Sequence, residues 1–67
     1  MSIAKVIEVL AEGETMEEAV RAAVQEAGQT VHNIQEVYVR DFQGIVEDNQ
    51  IVQYRVNAKI TFVVERQ

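Results

Sequence analysis

The 67-residue sequence has no cysteine, no proline and no tryptophan, one histidine and three scattered glycines. Each shortage closes a route. Without cysteine there are no disulfides and no thiolate metal sites. A lone histidine, His32, cannot build an imidazole cluster. With no proline, and with Gly13, Gly28 and Gly44 far apart, there is no composition for a linker, a repeat or a low-complexity tract. A single unit over 1–67 is expected.

Basic residues are also scarce: six Lys and Arg stand against eleven Asp and Glu, a formal net charge of −5. Nucleic-acid binding needs clustered cations that release counterions from phosphates. An anionic membrane surface asks for the same. Neither partner is expected, although a local basic spot on an acidic protein still leaves room for a small anion. The opening MSIAKVIEVL lacks the basic flank, apolar length and cleavage site of a signal peptide. No stretch approaches the roughly 18 apolar residues of a membrane span. The expected compartment is the cytoplasm.

A chain this short buries only about 60% of its unfolded surface. Small folds therefore lean on disulfides, a structural metal or oligomerisation. Composition removes the disulfides and the usual metal ligands, so self-association is the expected support.

What is present has clear periodicity. Ile3 to Ala11 is rich in β-branched residues and reads as a strand. Ile3, Ile7 and Val9 fall on one face and Val6 and Leu10 on the other, so the strand needs cover on both sides. Glu12-Gly13-Glu14 reads as a turn, and Thr15-Met16-Glu17-Glu18 as a capping box. Met16, Ala19, Val20, Ala23, Val24, Ala27 and Val31 recur at helical steps, and His32-Asn33 ends the stripe. Glu17 and Arg21 are spaced for an i,i+4 pair.

From Ile34 the period becomes two. Strict alternation puts Val37 and Val39 with Gln35, Asp41, Gln43 and Ile45, and Ile34, Glu36, Tyr38, Arg40 and Phe42 opposite. After the polar turn Glu47 to Gln50, the row Val52, Tyr54, Val56, Ala58, Ile60, Phe62 and Val64 alternates with polar residues. This is an α+β chain of β-α-β-β order. An antiparallel three-stranded sheet then requires strand order 1-3-2, with one helix on one face. Thirteen extended residues reach roughly 43 Å, against a radius of gyration of about 11 Å for a compact chain this size. The hairpin must bend round the helix or project beyond it.

Several segments together carry a family resemblance: Lys5-Val6-Ile7-Glu8, the Gly13-Glu14-Thr15 turn into Glu17-Glu18-Ala19-Val20, Ala27 with Thr30-Val31 and Asn33, and Tyr54 with Lys59-Ile60-Thr61-Phe62. In order and spacing they resemble the dodecin family over nearly the whole chain. The resemblance implies a sheet partly wrapping its helix and a dodecameric hollow shell. It also implies storage or sequestration of a small molecule rather than turnover, with flavins (FMN or riboflavin) or coenzyme A as ligands. Flavin-binding members hold paired isoalloxazine rings between tryptophans, with a glutamine at the ring edge. Aligned on Asn33 and Tyr54, those positions are Glu36 and Arg55. Asp41 matches an acidic position near the family's pocket. The stacking platform, worth about 1–3 kcal/mol per ring by analogy with base stacking, is thus missing.

Two readings apply to Glu36 and Arg55. Either Arg55 grips a ligand anion or carbonyl in a rebuilt pocket, or the pair forms an ion bridge, within or between subunits, that seals the site. Tyr38 is the better aromatic ligand candidate, because Tyr54 lies in the apolar row of the core. Glu47 and Asp48 could ligate Ca²⁺, a cation that takes six to eight oxygens, or could simply solvate a turn. His32 fits a helix C-terminus better than a lone acid–base role. No nucleophile and base with an orienting partner can be found, so an enzyme is not expected. The competing function is a structural or Ca²⁺-binding shell with no organic ligand.

Overall fold

Alternation at every second residue makes the last strand the axis of the fold. The computed structural model describes residues 2–65. Its elements are β1 (Ser2–Gly13), α1 (Met16–Ala27), β2 (Ile34–Glu47) and β3 (Gln50–Glu65). Both outer strands pair antiparallel with β3, giving the order β1-β3-β2 that the sequence predicts.

Directly paired residues of an antiparallel sheet share a face. Val56, Ala58, Ile60 and Phe62 of β3 are buried, and Ala11, Val9 and Ile7 of β1 stand opposite the first three. Helix α1 covers this face with Ala19, Ala23 and Ala27, all buried. Alanines keep the helix axis close to the sheet. The approach is tightest at Gly13, where an added Cβ would stand 2.7 Å from the Ala19 backbone nitrogen. Tyr54, half-buried on this side, lies between Gly13 and Gly44, which leave room for its ring.

The helix start follows the expected capping chemistry. Thr15 Oγ1 accepts from the Glu18 backbone N–H at 3.0 Å, and Glu18 reaches back to the Glu14 N–H at 3.1 Å. Glu17 and Arg21 form the expected exposed pair at 2.8 Å. The helix end differs from expectation. It stops at Ala27, not at His32-Asn33. Thr30 and Val31 donate their N–H groups to the Ala27 carbonyl, and the Thr30 hydroxyl does so at 3.4 Å. That satisfied turn ends the helix without His32. Asn33 then takes the left-handed conformation (φ 61°) that Asn tolerates, and β2 begins.

Strand β2 also departs from strict alternation. Bulges between Ile34 and Glu36, and between Val39 and Asp41, each insert one residue. Such an insertion moves every later side chain to the other face. Ile34, Val37, Val39, Phe42 and Gly44 therefore face the helix, opposite Phe62, Ile60, Ala58, Val56 and Tyr54. Glu36, Tyr38, Asp41, Gln43 and Ile45 face away. A two-residue turn, Asp48-Asn49, joins β2 to β3 with φ of 51° and 62°, the type I′ geometry that matches strand twist.

The hairpin projects. Pairing with β1 ends at Gly13–Tyr54, so residues 45–53 have neither a third strand nor a helix over them. Val46, Ile51 and Val52 are exposed there. The radius of gyration is 14.0 Å and the extents are 55 × 19 × 13 Å.

Candidate functional site

The face turned away from α1 is built in rows of three, read across β1, β3 and β2. Val6, Thr61 and Glu36 form one row; Glu8, Lys59 and Tyr38 the next. Leu10, Asn57 and Asp41 follow, then Glu12, Arg55 and Gln43. All four sequence-derived residues, Glu36, Tyr38, Asp41 and Arg55, lie on this face. They share a face, not a pocket. Glu36 and Arg55 are six β3 positions apart, roughly 20 Å at ~3.3 Å per residue.

An ion bridge between Glu36 and Arg55 within one subunit is therefore not formed. Arg55 pairs with Glu12 instead. Its Nε donates to Glu12 Oε2 at 2.8 Å, and its Nη2 stands 2.6 Å from the same oxygen. Both side chains are 38% exposed. Glu12 was not a sequence candidate, because the partners are 43 residues apart and only the β1–β3 register brings them together.

Arg40 is a second residue the sequence reading missed. It is the extra residue of the second bulge and has no partner on β3. Its Nη1 lies 3.8 Å from Glu8 Oε2, and its Nε lies 3.7 Å from Asp41 Oδ2. Glu8 is on β1 and Arg40 on β2, so the side chain spans the central strand. Among the described residues Asn57 Oδ1 is buried and has no hydrogen-bond partner. Only the register could have singled out Asn57, as the one amide of the central strand set between Leu10 and Asp41.

Apolar surface interrupts these charges. Val6 is 56% exposed, Leu10 65% and Tyr38 61%. The expectation that the first strand is apolar on both sides is met, and one helix covers only one of them.

The remaining candidates separate. Glu47 ends β2 and Asp48 sits in the I′ turn. Among the described residues no three His, Cys, Asp or Glu side chains converge on a metal position within the chain. His32 lines a shallow depression of about 360 Å³ with Asn33, Phe62 and Val64, between the end of α1 and the end of β3. None of the four face candidates lines it. A flavin stacked at the Glu36 position does not fit the residues present: a carboxylate offers no ring face, and Glu12 holds the Arg55 guanidinium. No helix among the described residues is long and apolar enough to cross a membrane.

The sequence model of the Dodecin family matches residues 3–65. No curated protein matches the sequence. Among solved structures, the dodecin from Streptomyces coelicolor is similar at 30% identity with a TM-score of 0.89, over 98% of this chain and 96% of that one. The dodecin from Streptomyces davaonensis shares 24% identity with a TM-score of 0.89, over 97% of each chain. A mutant of the T. thermophilus dodecin shares 22% identity with a TM-score of 0.90, over the full length of both.

Proposed function

Because this chain belongs to the dodecin family, we propose that it is a homo-oligomeric, non-catalytic protein whose dodecameric shell binds and sequesters a small molecule. One observation carries the assembly: Val6, Leu10 and Tyr38 stand exposed on the sheet face that no helix covers. The projecting hairpin adds Val46, Ile51 and Val52. A monomer keeps this surface in water, at a cost of about 25 cal/mol per Å² of apolar area left exposed.

For the ligand, the residues present argue against a flavin stacked at Glu36. They also argue against a ligand held mainly by its phosphates, such as coenzyme A. Arg55 is engaged by Glu12, Arg40 lies between Glu8 and Asp41, and Lys59 stands opposite Glu8. A ligand on this face meets Tyr38 with Asp41 and Asn57, and Glu36 and Arg55 bound the row of candidates at its two ends. A second reading is a shell with no organic ligand, favoured by the Glu12–Arg55 pair that occupies the ring-edge position. Its Ca²⁺-binding form needs Glu47 and Asp48 from several copies round an axis.

Native mass spectrometry of freshly isolated protein tests these readings together. The expected result is a dodecamer carrying a retained small-molecule mass. A dodecamer of unliganded mass supports the second reading. A folded monomer at working concentration overturns both.

A further inference from the structure

Building on the oligomeric reading, we infer that the hairpin arm of one copy seats in the depression at the far end of a second copy, so that each subunit completes its core with residues of the next. The arm is the part of the β2–β3 hairpin beyond Tyr54. Val46 and Ile51 are paired there, so they share a face. An added Cβ at Gly44 would stand 3.5 Å from Ile51 Cδ1. Gly44 pairs with Tyr54 on the helix side, so Ile51 and Val46 prolong the core row past the start of α1. They are 56% and 58% exposed.

The depression lies at the other end of the same side. Val31, Phe62 and Val64 give it an apolar lining and His32 a polar edge. Thirteen positions of β3 separate Ile51 from Val64, roughly 43 Å. A copy cannot fold its own arm into its own depression, because both belong to one continuous strand. The occupant comes from another copy.

Charge decides against the alternative, in which two arms meet tip to tip. Residues 44–54 hold Glu47 and Asp48 and no Lys or Arg. Two tips about an axis would crowd their carboxylates together with no cation between them, and like charges in contact are unfavourable. The stretch 27–35 behind the depression has no Asp or Glu, and His32 carries a ring N–H donor. Glu65 is the one carboxylate among the lining residues.

Arm and depression are different surfaces, so the contact is heterologous: each copy gives an arm and receives one. Such contacts close into rings or run on as filaments. A few side chains bury far less than the roughly 1,000 Å² that a stable pair needs. The arm contact therefore holds only in a closed ring, braced by the sheet face that carries Val6, Leu10 and Tyr38.

The chain has no cysteine, so a short bis-maleimide joins only introduced thiols. In the assembled full-length protein, Ile51→Cys combined with Val31→Cys is expected to give a denaturation-resistant ladder above the dimer, and each single variant monomers alone. Dimers from Ile51→Cys alone, or no ladder from the double variant, overturn the inference. Ile51→Asp tests it without any crosslinker. This variant is expected to keep the far-ultraviolet circular dichroism of the subunit and to lose the full-size particle in native mass spectrometry. A full-size particle for Ile51→Asp also overturns the inference. The unaltered protein, run alongside, separates the two levels. A dodecamer whose arms do not crosslink sinks this inference alone, whereas a folded monomer sinks the functional reading beneath it.

Discussion

On the helix side of β3, Val56, Ala58 and Ile60 are fully buried against alanines of α1, while one residue away on the same strand Arg55, Asn57, Lys59 and Thr61 carry charge and hydrogen-bonding groups. The helix side has small residues, close backbone approach and, among the described residues, no buried polar or charged residue. The other side has mixed charge, one orphan amide oxygen and exposed Val6, Leu10 and Tyr38. The first side fixes the subunit. The second is free to serve whatever meets it, because its side chains contribute little to holding one copy together.

The contrast can be broken most completely by inserting one alanine after Asn57 in β3. The extra residue sends Ala58, Ile60 and Phe62 to the opposite face relative to Val56. Loss of cooperative unfolding by circular dichroism is the expected outcome; a native-like transition would mean that the strand absorbs the added residue as a bulge. Next in size is Ile60→Ala, expected to cost about 2–5 kcal/mol because a filled core position is emptied. Its neighbour Thr61→Ala, on the opposite face, is expected to stay within about 0.5 kcal/mol. Denaturant titration at matched protein concentration compares the two, and equal losses would erase the distinction between the sides. Gly13→Ala forces a Cβ against backbone at Ala19 and is expected to destabilise by about 1–3 kcal/mol, the range seen for overpacking. A neutral result would show that the helix start can move away from the sheet. Glu12→Gln is the mildest change. The Glu12–Arg55 pair is partly exposed, so its loss is expected to cost under about 1 kcal/mol. High salt should shrink the difference between Glu12→Gln and the parent.

Much of the helix side was legible in the sequence. The even-numbered row of β3 from Val56 to Phe62, the capping box at Thr15 and the polar turn at Asp48-Asn49 are local signals, and each is where the spacing puts it, whereas Val52 at the start of that row is exposed and skipped in the pairing with β2. Strand order followed from chain direction alone. The bulges were not legible. Gln35 and Arg40 are ordinary strand residues, and only pairing against β3 shows that each is one too many. That error carried Asp41 to the helix side and Phe42 away from it. The helix end was misread because Val31 continues the apolar spacing after the backbone has already turned. The face candidates were read correctly as residues of one hairpin, yet facing strands do not imply facing residues. Register sets Glu36 against Thr61 and Arg55 against Gln43, and the true ion pair crosses to β1.

The two bulges have one more effect. Each raises the local right-handed coil of β2, and the hairpin then extends this bend over a rod 55 Å long. A few degrees at Arg40 become ångströms of displacement at Asp48, as at the end of a lever. Where copies close on one another, the arc of this arm helps to set the radius of the container they form. Two residues of β2 that have no partner on β3 would then act as a gauge for the size of the assembled particle.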